Sequence, residues 1–97
     1  MARRTVTFAG DTTKKFVANH RIGSDYSATI QNLTDQTITI TVTNEDIQSA
    51  SPTFDTPAAG ALAITDGAIG VMTAPYDGWL LTGGAAATGT VNIVEAG

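Results

Sequence analysis

The sequence predicts an all-β domain, a small antiparallel β-sandwich that is jelly-roll-like or immunoglobulin-like. Residues 37–43, Thr-Ile-Thr-Ile-Thr-Val-Thr, alternate polar and apolar side chains without interruption. This period of two is typical of a strand with one buried face. The seven aspartates recur at intervals of roughly ten residues beside small or polar neighbours, as expected for turns between short strands. The 97 residues suit a single domain spanning residues 1–97.

The first half of the chain contains four predicted strands. Residues 5–8 alternate threonine with Val and Phe, and residues 16–17 form a second short apolar segment. Residues 26–31 alternate in the same way as residues 37–43, with Asn and Asp between them in residues 32–36. Because Asn and Asp favour turns, the last two strands are predicted to form a hairpin or a meander pair.

The second half is less regular. Residues 44–47 are predicted to begin a short helical turn with Asn44 as its N-cap, and residues 49–57 a loop broken by Pro52 and Pro57. The remaining predicted elements are strands at 69–72, 79–81 and 91–94, with turns at 74–78 and 83–84.

The charges are divided along the chain. All five basic residues lie within the first 21 positions, where a single aspartate opposes them, so this segment carries +4. The remaining residues hold eight acids and no base, for −8. We therefore expect a basic N-terminal arm of about residues 1–9 on an acidic body, suited to an acidic protein neighbour. Five charges beside an acidic body are a poor phosphate-binding face, so nucleic acid is not an expected partner.

Charged residues make up only 14% of the chain, against about 25% in typical globular proteins. Two interpretations stay open. A surface with few charges suits a protein packed against neighbours, and threonine is also simply a good strand residue.

Membrane and secretory classes are not predicted. No apolar run approaches the ~20 residues that span a bilayer, and the basic N-terminus is not followed by the apolar segment of a secretory signal. The sequence contains no cysteine, which excludes disulfides and thiolate metal sites. Synthesis in a cytoplasm is the expectation.

The sequence offers little catalytic chemistry. His20 is the single histidine and lies in a polar stretch typical of an exposed loop. No nucleophile-elbow serine, phosphate-binding loop or calcium loop is present. We therefore expect no enzyme activity, no cofactor and no metal.

The aromatic pair Tyr76 and Trp79 allows two interpretations. Trp79 is either a core residue that closes the sandwich or an interface anchor, since Trp and Tyr are enriched at binding hot spots. A sugar-binding platform would use the same pair.

Two segments resemble a known class of proteins. Residues 28–35, Ala-Thr-Ile-Gln-Asn-Leu-Thr-Asp, followed by the strand at 37–43, are similar to small β-sandwich virion proteins of tailed bacteriophages. So is the ending, Gly-Trp-Leu-Leu-Thr at 78–82 and Gly-Thr-Val-Asn-Ile-Val at 89–94. The chain most resembles capsid decoration, or cement, proteins.

The resemblance implies a structural virion protein, made in the host bacterial cytoplasm and bound on the capsid surface across capsomer junctions. The major capsid protein would be its partner, and a dimer or trimer of the chain is expected. Deleting residues 1–9 would then abolish shell binding without unfolding the domain. The alternatives are another phage component (tail, collar or head-completion protein) or a free carbohydrate-binding module. The predicted interface residues are Arg3, Arg4, Val6, Phe8, Lys14, Lys15, Tyr76 and Trp79.

Overall fold

The computed structural model describes residues 2–18, 26–45, 52–56, 62–73, 76 and 78–96. These residues contain six strands: β1 (Ala2–Val17), β2 (Ser27–Asn32), β3 (Ile38–Thr43), β4 (Leu62–Ile64), β5 (Ile69–Met72) and β6 (Gly78–Ala96). The predicted helical turn at 44–47 and the loop at 49–57 lie partly outside the described residues.

The first and last strands form the centre of the architecture. β1 and β6 pair antiparallel over almost their whole length, from Ala2 opposite Glu95 to Val17 opposite Gly78. The register shifts between Ala9 and Thr13, where both strands pass from one layer of the domain to the other. The short strands predicted at 5–8 and 16–17 are therefore parts of one long strand.

The sheet folds over at this bend into two layers. β2 pairs with residues 91–96 of β6 and with β5, whereas β3 pairs with residues 78–83 of β6 and with β4. Layer one thus has the order β1–β6–β2–β5, and layer two the order β1–β6–β3–β4. Counting each half of β1 and β6 separately gives eight segments paired first with last, second with seventh, third with sixth and fourth with fifth. This is the jelly-roll arrangement of a β-sandwich, and the predicted fold class is confirmed.

Two local predictions were wrong. β2 and β3 do not pair with each other, because β6 lies beside both and the segment between them crosses from layer one to layer two. The predicted turn at Gly83–Gly84 is instead continuous strand within β6, since Gly83 pairs with Ile38 of β3.

The core lies between the layers and follows the period-two pattern. Ile38, Ile40 and Val42 of β3 are buried, as predicted, and Ile30 and Ile93 face them from layer one. Burying such a side chain contributes about 1.5–3 kcal/mol, so these residues supply much of the driving force that holds the layers together.

The bend is held by hydrogen bonds between the β2–β3 connection and β6. The backbone N–H of Leu33 donates to the Thr90 carbonyl at 2.8 Å, and that of Asp35 to the Thr88 carbonyl at 3.2 Å. In return, the Thr88 N–H donates to Asp35 Oδ1 at 2.9 Å. These bonds continue the sheet where regular pairing is interrupted.

The Asp35 carboxylate makes the bend sensitive to acid. The Thr88 N–H bond lowers the pKa of Asp35 below its usual value. A carboxyl group whose folded pKa is depressed stabilises the fold above its unfolded pKa of about 3.9 and loses that contribution as pH falls through the folded pKa. We expect Asp35→Ala to lower the urea midpoint at neutral pH, and the difference from the wild type to shrink towards pH ~3.

Asp66→Ala is the matched control, because the Asp66 side chain is exposed and makes no hydrogen bond within the described part of the chain. An Asp35→Ala difference that stayed constant from neutral to acidic pH would contradict this assignment.

Candidate interaction surfaces

The basic residues of β1 differ in whether they form an ion pair. Arg3 and Lys15 are exposed and make no ion pair within the described ranges. Arg4 pairs with the buried Glu95 and lies over the Phe16 ring, 4.0 Å from its centroid. Lys14 lies 3.4 Å from Asp11 on the same strand. Among the basic residues of β1, the positive charge available to a partner is therefore that of Arg3 and Lys15.

Residues 2–9 are an integral strand rather than an arm. Phe8 is only 2% exposed and belongs to the core, and Val6 packs against that core. The same residues pair with residues 88–95 of β6. Phe8 is thus placed in the core rather than at an interface, and deleting residues 1–9 would remove a core side chain together with the first half of β1.

Trp79 is also a core residue. It is fully buried, with its ring 4.7 Å from that of Phe16 and edge-on to that of Tyr26 at 6.4 Å. This corrects the interface assignment of Trp79, and an exposed sugar platform made by Tyr76 and Trp79 does not form.

A buried polar cluster closes the core beside Trp79. The Tyr26 hydroxyl donates to Glu95 Oε2 at 2.5 Å, and Arg4 donates to the other carboxylate oxygen. Burial, together with the Glu95 carboxylate, raises the pKa of Tyr26 far above its usual value. Both oxygens of the buried carboxylate have partners, which is what a charge needs to be tolerated inside a protein, so the cluster is structural.

Tyr76 lines an open groove at the end of layer two. The groove has a volume of about 360 Å³ and is bordered by Val42, Asn44, Glu45, Asp55 and Tyr76, with threonines between them. Glu45 is engaged there, because its carboxylate accepts a 2.6 Å bond from the Thr53 N–H. Of the three aromatic residues predicted at the interface, Phe8, Tyr76 and Trp79, Tyr76 alone lies beside this groove.

The outward face of layer two is nearly free of charge. Its central row runs across four strands as Thr13, Thr82, Thr39 and Ala63, each paired with the next. The neighbouring row contains Lys15, Leu80 and Thr41. We call the residues of these two rows the threonine face; Lys15 is its single charged member.

Among the described residues, the most exposed large apolar side chains lie on β5, a segment for which the sequence predicted a strand but no interaction surface. Ile69 is 62% and Val71 53% exposed. Gly70 and Met72, between and after them, face inwards, and a Cβ at Gly70 would lie 2.8 Å from the side chain of Ile64. Gly70 could have been a clue, because a glycine within a strand often marks close packing.

The described residues contain no cluster of three or more His, Cys, Asp and Glu side chains that could hold a metal. His20 lies outside them. In the same part of the chain, no helix has the length and hydropathy needed to cross a membrane.

Comparisons with known proteins extend to the fold alone. No protein-family model and no curated protein matches this chain. A solved structure of Bacillus endospore appendages, described as disulfide-linked pili, is 18% identical with a TM-score of 0.56, covering 97% of this chain and 80% of that one.

Two further solved structures are more distant. The Anabaena sensory rhodopsin transducer is 11% identical with a TM-score of 0.40, covering 94% of this chain and 92% of that one. The Yersinia pseudotuberculosis-derived mitogen is 10% identical with the same TM-score, covering 98% of this chain and 83% of that one.

The strand order and pairing described above define this protein as a small jelly-roll β-sandwich.

Proposed function

We propose that this chain is a structural virion protein that decorates the outside of a phage capsid and stabilises the shell. The observation that carries the proposal is the threonine face. It combines a rigid layer of paired strands with short hydroxyl and methyl groups and a single cation. Docking on such a face would bury one charge, that of Lys15, so it can dock on a flat protein surface with little desolvation cost.

Lys15 would supply the electrostatic part of this docking contact. It stands beside Leu80 on the threonine face and would meet an acidic patch on the shell. Arg3 lies on the outward face of layer one, on the other side of the domain. Many copies on one shell would produce strong avidity even if each contact were weak. The jelly-roll fold shared with a pilus structure supports a role in repeated assembly.

The experiment is quantitative mass spectrometry of purified particles from the source of this chain, with the major capsid protein as internal standard. The proposal expects a copy number comparable to that of the major capsid protein. A few copies per particle would move the protein to a tail or vertex, and its absence from particles would overturn the proposal.

The docking face is tested by two matched arginine substitutions. Thr39→Arg places a long cation in the middle of the threonine face, and we expect binding to undecorated shells to weaken at least ~10-fold. Thr29→Arg makes the same change on the outward face of the central strand β2 in layer one, and shells should bind this variant as they bind the wild type. Equal loss in both variants would show that the threonine face is not the docking surface.

A further inference from the structure

Layer one is open at both of its edges. β1 forms one edge and β5 the other, and within the described chain each has a single neighbouring strand. An edge strand presents a row of unpaired N–H and C=O groups, which is a template for pairing with another chain. Proteins usually protect such edges with charges, prolines or bulges.

The β5 edge carries none of these protections. Its sequence is Ile-Gly-Val-Met, with no charge and no proline. Ile69 and Val71 both point outwards and are more than half exposed. An exposed edge strand with outward-facing β-branched residues is suited to accept a further strand.

We propose that the β5 edge of one copy pairs with the β1 edge of a second copy, so that layer one continues from molecule to molecule. The strand directions favour this partner. Each neighbouring pair in the order β1–β6–β2–β5 is antiparallel, so β5 runs opposite to β1. A second copy in the same orientation therefore offers β1 to β5 as an antiparallel strand.

The side-chain rows fit the same arrangement. On the outward face, Arg3, Val94, Thr29 and Val71 form one row, and Thr5, Asn92, Gln31 and Ile69 the next. Extending these rows into a second copy puts its Thr5 beside Ile69 and its Arg3 beside Val71. The aliphatic stem of Arg3 would then cover Val71 while its guanidinium stays in water.

Charge disfavours the symmetric pairing of two β1 edges. β1 contains Arg3, Arg4, Lys14 and Lys15 against Asp11 alone, whereas the residues after position 21 hold eight acids and no base. β1 of one copy is therefore attracted to the body of another, and two β1 edges repel each other. A contact between two different edges is heterologous and produces a chain or a ring of copies. The inference goes beyond the proposed function, because it needs no shell.

The test is sedimentation velocity of the purified full chain at increasing concentration, without capsid shells. The wild type should form species larger than a dimer. Ile69→Lys/Val71→Lys should weaken association at least ~10-fold, whereas Thr29→Lys, in the same row but on a central strand, should associate like the wild type. All three substituted positions are exposed, and far-UV circular dichroism should confirm that each variant is folded.

A mixing experiment identifies the partner edge. Arg3→Glu/Thr5→Glu spoils β1 but leaves β5 intact, so this variant and the Ile69→Lys/Val71→Lys variant should each stay monomeric alone and form a heterodimer when mixed. A wild type that remains monomeric up to ~1 mM, equal loss in Thr29→Lys, or failure of the two variants to combine would overturn the proposal. Particle copy number is measured separately, so either idea can fail without the other.

Discussion

Replacing Gly89 by alanine is expected to destabilise the domain by about 3 kcal/mol or more. Gly89 lies in β6 at the bend with a φ of 120°, a conformation that side-chain-bearing residues rarely adopt. An added Cβ would also lie 2.5 Å from the Leu33 carbonyl oxygen and 2.9 Å from Thr34 Cα. Leu33 is hydrogen-bonded to β6 and Thr34 to the buried Asn32 side chain, so neither residue can move aside cheaply. Urea unfolding measures the effect.

Gly10→Ala is the matched control for this substitution. Gly10 also lies at the bend with a positive φ of 82°, yet a Cβ there would meet nothing within 4 Å. It should therefore cost only the backbone strain, about 1 kcal/mol. Equal losses in the two variants would show that the close approach to residues 33–34 is not what requires glycine at position 89.

The second large effect is expected at Asn32, whose side chain is fully buried where β2 ends. Its Nδ2 donates to the carbonyls of Gln36 and Ile64, both at 2.8 Å. Its Oδ1 accepts from the backbone N–H of Thr34 at 2.9 Å and from the Thr34 hydroxyl at 2.6 Å. One amide thus joins β2, the β2–β3 connection and β4.

Asn32→Ala should destabilise the domain by about 3–4 kcal/mol, because several buried polar groups lose their partner together and each such loss costs about 1–3 kcal/mol. Asn44→Ala, an exposed change of the same chemistry, should shift the free energy of unfolding by less than about 0.5 kcal/mol. Thermal and urea unfolding report both. A loss below about 1 kcal/mol for Asn32→Ala would mean that water replaces the amide at this junction.

The sequence predicted local structure well where one face of a strand is buried. The alternation at 37–43 identified β3 and its inward residues, because burial imposes a period of two on the side chains. For Trp79 the sequence left a core role and an interface role both open. What the pattern does not contain is the choice of partner strand. β1 pairs with β6 across the whole chain, and no local feature of residues 2–17 encodes that distant register.

The interaction surfaces were harder to predict, for two physical reasons. Apolar residues at 6, 8 and 79 can serve a core or an interface equally well, and the fold uses them for the core. In Ile-Gly-Val-Met, both alternating sets contain apolar residues, so the pattern does not say which set faces outwards. Arg4 was predicted as an interface residue, and its engagement by Glu95 was missed because that pairing depends on the β1–β6 register.

The pairing of the first strand with the last also governs how the domain is made. While the chain is being synthesised, β1 emerges before its only described partner, and its apolar residues wait unpaired until β6 follows. Contacts between such distant segments require a large loop to close before they contribute stability, so folding is slow compared with that of helical domains. Until β6 is made, the unpaired β1 segments of neighbouring unfinished chains can associate with one another. A chaperone that shields residues 2–17 would act at this stage.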